Sequence, residues 1–177
     1  TDLRTRGIEA NSGSLGQTLS KANGLALAGA RQVFVIMGDG ELQEGQNYEA
    51  MMMLHQYRLK QVVPIIDVNG IQSDSNVRDV KALADMVKML QGFGLAVLEI
   101  DGQNMAEVVR AYEAARHTDA PVCIVAHTKK AAGVSFMESD ATSRRAFAWH
   151  GSALPAADYG NALNELLEKI EDSKVRE

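Results

Sequence analysis

The chain has 177 residues, enough to bury a substantial core in one domain, and 1–177 reads as a single unit. Its 18 Lys+Arg against 23 Asp+Glu leave a net charge of −5, without a long run of either sign. That balance argues against nucleic acid and against an anionic membrane as partners.

The chain opens on Thr1-Asp2-Leu3-Arg4 without an initiator Met. It therefore reads equally as a fragment lacking an N-terminal segment, a processed chain, or the ordered part of something longer. Residues 17–29, rich in Ala, Leu and Gly, predict a helix packed closely on a sheet. Residues 33–37 and 62–68 are apolar, β-branched runs that predict buried parallel strands, and residues 96–100 and 122–126 predict two more. Between them, residues 48–57, 79–90 and 105–116 carry apolar positions at helical spacing. Pro121 precedes the last strand, where a missing N–H does little harm. Residues 155–170 place Leu163, Leu166, Leu167 and Ile170 on one stripe of a final amphipathic helix, and residues 172–177 are expected to fray. Strands alternating with helices define an α/β class: a mostly parallel sheet with helices on both faces. The single cysteine, Cys123, lies inside the last strand, which predicts a buried thiol rather than a nucleophile. No secretory leader and no apolar stretch of membrane-spanning length is present, so a soluble, cytoplasmic protein is expected.

Chemistry concentrates at the ends of two strands. Gly38-Asp39-Gly40 directly follows the first strand, and Asn69, 30 residues after Asp39, follows the second in Asp67-Val68-Asn69-Gly70. A carboxylate and an amide at two adjacent strand ends can converge on one hard cation. The chain turns within two residues of Asn69, which offers the carbonyl of Ile71 as a third ligand. Magnesium suits such oxygens and keeps substrate phosphate oxygens and water in its shell. The glycines allow a backbone to approach an anion closely. Other groups are less telling. His55 and His117 read as surface or packing residues, and His127, ending a strand, is left open. Lys129 and Lys130 read as a solvated loop, and Met51-Met52-Met53 as helix packing.

The run from Gly38-Asp39-Gly40-Glu41-Leu42-Gln43-Glu44-Gly45 through Asp67-Val68-Asn69-Gly70-Ile71-Gln72 resembles the thiamine-diphosphate motif of transketolases. It is most similar to the N-terminal, diphosphate-binding (PP-type) subunit of split transketolases. Asn11-Ser12-Gly13-Ser14-Leu15-Gly16-Gln17, Gly133-Val134-Ser135-Phe136-Met137-Glu138 and Trp149-His150-Gly151 agree in order along the chain. The resemblance implies that Asp39, Asn69 and the Ile71 carbonyl hold a divalent metal, Mg²⁺ with Ca²⁺ or Mn²⁺ as alternatives. It implies that Gly38 and Gly40 face the diphosphate and that Gly13 and Leu15 line the aminopyrimidine. His150 becomes a cofactor or substrate contact with a catalytic role, and Glu44 a member of a buried acidic network linking paired active sites. In this chain, the histidines that the family places upstream of the Gly13 loop, and the pyrimidine-binding domain with its cofactor-activating glutamate, have no counterpart. Ser73-Asp74-Ser75-Asn76 stands where the family has a glycine-containing turn.

The implied activity is transfer of a two-carbon ketol unit from a ketose to an aldose, sugars or sugar phosphates being the substrates. The implied partner is a C-terminal, pyrimidine-domain transketolase subunit in a heterotetramer, without which the chain is expected to be inactive. Alternatives are another thiamine-diphosphate carboligase, of the deoxyxylulose-phosphate-synthase type or of specialised metabolism, and a degenerate, non-catalytic partner subunit. The second acid in Glu41-Leu42-Gln43-Glu44 favours the transketolase branch, and intact Asp39 and Asn69 speak against degeneracy.

Overall fold

A computed structural model describes residues 3–138, 149–151 and 153–175. The described residues form a four-stranded parallel sheet from β1 (Val33–Gly38), β2 (Val62–Val68), β5 (Ala96–Asp101) and β6 (Val122–His127), in the order β1-β2-β6-β5. The two central strands carry the longest β-branched runs, and Val62, Val63, Ile65, Ile66 and Val122 to Ala126 are all buried. Alternation divides them between two cores. Val62, Ile66, Cys123 and Val125 face α1 (Thr18–Leu27), α2 (Gly45–Gln56) and α4 (Met86–Gly92), whereas Val63, Ile65, Val122, Ile124 and Ala126 face α5 (Met105–Arg116). Helices thus cover both faces, as the sequence predicts. The C-terminal helix α6 (Ala156–Val175) completes the described chain. It runs through most of the expected fray; residues 176 and 177 lie outside the described residues.

The predicted helix over residues 79–90 is instead two, α3 (Val77–Lys81) and α4. Each end at the break is satisfied by a side chain. Gln43 Nε2 donates to the carbonyls of Val77 (3.1 Å) and Lys81 (2.9 Å), closing α3. Asp85 accepts from the Lys88 N–H at 2.9 Å and caps the start of α4. The helical period continues across the break, so apolar spacing alone hides it. A small antiparallel hairpin, β3 (Ile71–Gln72) with β4 (Ser75–Asn76), follows Asn69 and is not among the predicted elements. Ser73-Asp74 form its tip, and it folds over the carboxyl end of β1.

Candidate functional site

Register brings the two motifs together. Gly38 pairs with Asp67 across β1 and β2, and the Asp39 N–H donates to the Asp67 carbonyl at 3.1 Å. Asp39 is 3% exposed, and its carboxylate accepts from two backbone amides. Oδ1 accepts from the Gly40 N–H at 2.9 Å and Oδ2 from the Gly70 N–H at 2.8 Å. Burial raises the carboxyl above the ordinary carboxylate range. The Gly70 and Gly40 amides pull it back down, and neighbouring Asp67 pushes it up again. Each oxygen retains acceptor capacity after those bonds. Asn69 is held by its own turn: Oδ1 accepts from the Ile71 N–H at 3.0 Å, and Nδ2 donates to Asp67 Oδ2 at 3.1 Å. Asp67 also accepts from the Thr128 hydroxyl, which ties the second motif to the end of β6.

These residues open onto a cavity of about 340 Å³ at the carboxyl edge of the sheet. Leu15, Gly38, Asp39, Gly40, Glu44, Asn69, Ile71 and His150 all line it, so the structure assembles nearly the whole predicted set. Gly13 is exposed and is not among the lining residues. Glu44 is exposed as well, as the residue preceding the first turn of α2. His150 reaches the cavity beside Trp149, whose ring meets Phe136 edge-on at 6.0 Å. The Phe136 loop is in turn fastened to α6, where the Ser135 N–H and hydroxyl donate to Glu165 at 3.0 Å. Two sequence segments that look unrelated therefore position one histidine.

The structure adds residues that motif reading passes over. Asp67, Glu41, Gln43, Gln72, Ser73 and Lys130 line the same cavity. The two neighbouring lysines separate: Lys129 is paired with Glu138, while Lys130 turns inward. The signal that could have distinguished them is Glu138, whose carboxylate also accepts from the Gly133 N–H at 2.9 Å and claims one lysine for the loop. His127 pairs with Glu99 at 3.1 Å, and it is not among the lining residues.

The donor set can be tested against a metal and a polyanion. Four acids, Asp39, Glu41, Glu44 and Asp67, face the cavity against Lys130 and His150. Such a wall repels a bare polyanion and attracts a cation. Among the described residues, no cluster of three His, Cys, Asp or Glu side chains is arranged to bind a metal. A cation here would instead use Asp39 with the neutral oxygens of Asn69 and Ile71, leaving positions for ligand phosphate oxygens. Gln72 Oε1, buried on the same wall, has no hydrogen-bond partner among the described residues. A Cβ on Gly40 would stand 2.8 Å from that oxygen, so only glycine lets the hairpin close over the turn. The residues fit a hard divalent cation bridging to an anion.

An open parallel sheet with its polar crevice at the strands' carboxyl ends defines a coenzyme-binding α/β domain. Residues 2–166 match the family described as "Transketolase, thiamine diphosphate binding domain", and the chain belongs to that family. It is 37% identical to one of the apulose-4-phosphate transketolase subunits of Phocaeicola vulgatus over 175 residues, 96% of this chain and 60% of that one. It is also 37% identical to the 6-deoxy-6-sulfo-D-fructose transketolase subunit of a Clostridium species, over 79% of this chain and 53% of that one. Among solved structures, transketolase from Campylobacter jejuni superposes with a TM-score of 0.70 at 27% identity, over 98% of this chain and 32% of that one. The chain therefore spans about 60% of the length of the Phocaeicola relative. The expected likeness to N-terminal subunits of split transketolases and the expected PP-type fold are both borne out.

Proposed function

We propose that this chain binds the diphosphate end of thiamine diphosphate through a divalent cation and serves as one subunit of a transketolase-type enzyme. The reaction is transfer of a two-carbon ketol unit from a ketose to an aldose, sugars or sugar phosphates being the substrates. One observation carries the reading: Asp39, 3% exposed and held by backbone amides, lines an acid-rich cavity together with Asn69, where a polyanion would need a cation beside it.

Asp39, Asn69 and the Ile71 carbonyl would hold the ion, Mg²⁺ being the natural choice for oxygen ligands beside phosphate. Thiamine diphosphate, when bound, supplies the nucleophilic carbon and electron sink for carbon–carbon cleavage. The chain's own residues fix its anionic end and shape the cavity mouth. Lys130 is the lining cation best suited to a phosphate oxygen. His150 stands where a donor can meet a phosphate or a substrate hydroxyl and move its proton. Activation of the cofactor's other end falls to a partner subunit carrying a pyrimidine-binding domain.

The decisive experiment is Asp39→Ala followed by titration calorimetry with Mg²⁺ and thiamine diphosphate. The variant loses the only carboxylate ligand and should show no measurable binding of the pair while remaining folded by circular dichroism. Wild-type binding by the folded variant overturns the assignment.

A further inference from the structure

The cavity wall mixes polar and apolar surface, with Leu15, half-exposed at its rim, and Ile71 as its larger apolar side chains. Leu15 sits on a loop that has no regular structure of its own and leads directly into α1. A side chain from outside the loop ties it to the Asp39 turn. The Gly16 N–H donates to Glu41 Oε1 at 2.9 Å, across 25 residues of sequence. Gly16 is buried and has φ +81, and a Cβ there would stand 2.7 Å from Glu44 Cβ. Glu41, which opens a short turn, thus holds the Gly16 amide by its carboxylate, and Glu44, just after that turn, leaves no room for a side chain at position 16. That turn (Glu41–Gln43) is braced from below, where buried Asn47 donates through Nδ2 to the Glu41 carbonyl at 2.6 Å. Glu41 follows Asp39 and Gly40 directly, so the anchor of the apolar rim and the cation site share one rigid piece of backbone.

We propose that Glu41 is a positioning residue: its carboxylate clamps the Gly16 amide and thereby holds Leu15 over the cavity as the apolar contact for the organic part of the ligand. Binding of the anionic part depends on the Asp39 turn and is separate from the clamp. The inference rests on the reading that the cavity takes thiamine diphosphate. It also gives Glu41 a task other than ligating a cation, since its charge is spent on a backbone N–H at the rim.

The test compares Glu41→Ala and Glu41→Gln with wild type in two ways. Amide exchange at Gly16, followed by NMR, reads the clamp without any ligand. Calorimetry with Mg²⁺ and either pyrophosphate or thiamine diphosphate separates the anionic end from the whole cofactor. Glu41→Ala should expose the Gly16 amide to faster exchange and weaken thiamine diphosphate about tenfold, the effect of losing one hydrogen bond to a charged acceptor. Pyrophosphate affinity should be the same in Glu41→Ala and Glu41→Gln, because both remove the same charge from the acid-lined wall, and its retention shows that the variants are folded. Glu41→Gln, whose amide oxygen still accepts, should restore both readouts. Unchanged thiamine diphosphate affinity in Glu41→Ala, equal losses for both ligands, or failure of Glu41→Gln to rescue overturns the proposal. If wild type takes neither ligand, the cofactor reading falls. The clamp is then judged on exchange alone, and an unchanged Gly16 rate in Glu41→Ala refutes it.

Discussion

His150 shows how a residue's chemistry depends on neighbours far along the chain. Trp149 against Phe136, and Ser135 against Glu165, bring it to the cavity that Asp39 anchors. In the proposed role it would be one donor among several contacts, contributing modestly to holding the cofactor but hard to replace in proton transfer. His150→Ala should therefore lower kcat of the complete enzyme by at least about tenfold, while thiamine diphosphate affinity falls only a few-fold. Wild-type turnover would make the histidine structural. Cys123 gives a second residue-level test. Burial pushes its thiol up to about 12, against a lower value in the unfolded chain. Because the folded value is raised, the neutral thiol's contribution is whole below the unfolded value and is lost as pH rises toward the folded one. Between the two, wild type should lose stability relative to Cys123→Ala by about 1.4 kcal/mol per pH unit, measured by urea denaturation. Parallel pH profiles for the two proteins would refute this. At this scale Asp39, Asn69, Ile71 and Cys123 were legible because each lies in or just beyond an apolar β-branched run. Lys130 was not, because a lysine in a polar loop has the same local sequence whether it meets solvent or a cavity. Only its neighbour's pairing with Glu138 shows which.

At the scale of elements, the four strands were readable from their apolar runs; β2 and β6 are buried on both faces as expected, whereas β1, at the sheet's edge, is buried on one face only and leaves Phe34 and Ile36 exposed on the other. The break between α3 and α4 was not, since it depends on Gln43, a residue distant in sequence, closing the first helix. Helix ends that rely on glycine are more local, and two of them can be compared. Gly29 and Gly94 each follow a helix, at φ +102 and +80, and their amides return to Ala26 (3.0 Å) and Gln91 (2.8 Å). A Cβ at Gly29 meets nothing within 4 Å, whereas at Gly94 it would stand 2.2 Å from His55 Nδ1. Gly29→Ala should cost about 1–2 kcal/mol, the strain of a left-handed alanine. Gly94→Ala should cost more, and His55→Ala in the same chain should return it to the Gly29→Ala value. Equal losses for the two single variants, by chemical denaturation, would show that His55 moves aside freely.

At the scale of the whole molecule, the cavity, if it binds the cofactor as proposed, would hold one end of a long ligand and leave the other end open. Leu15 stands at its rim half exposed, and Glu44 borders it in solvent. The helices that follow them carry apolar side chains on the surface: Leu25 and Leu27 on α1 and Met52 and Tyr57 at α2 are each more than two-fifths exposed. A second chain docked there would bury those side chains and bring its own groups to the cofactor's far end, closing a two-plus-two assembly by two-fold symmetry. This predicts that the chain alone, supplied with thiamine diphosphate and Mg²⁺, transfers no ketol unit, and that a pyrimidine-domain subunit restores activity together with a heterotetrameric mass in analytical ultracentrifugation. Leu27→Asp and Met52→Asp should each weaken that assembly at least about tenfold, as a desolvated charge at an interface does. Because both positions are exposed in the single chain, its own stability should change by no more than about 0.5 kcal/mol. Robust ketol transfer by a homogeneous sample of the chain alone would overturn the split arrangement. Unaltered assembly by both variants would place the interface elsewhere on the surface.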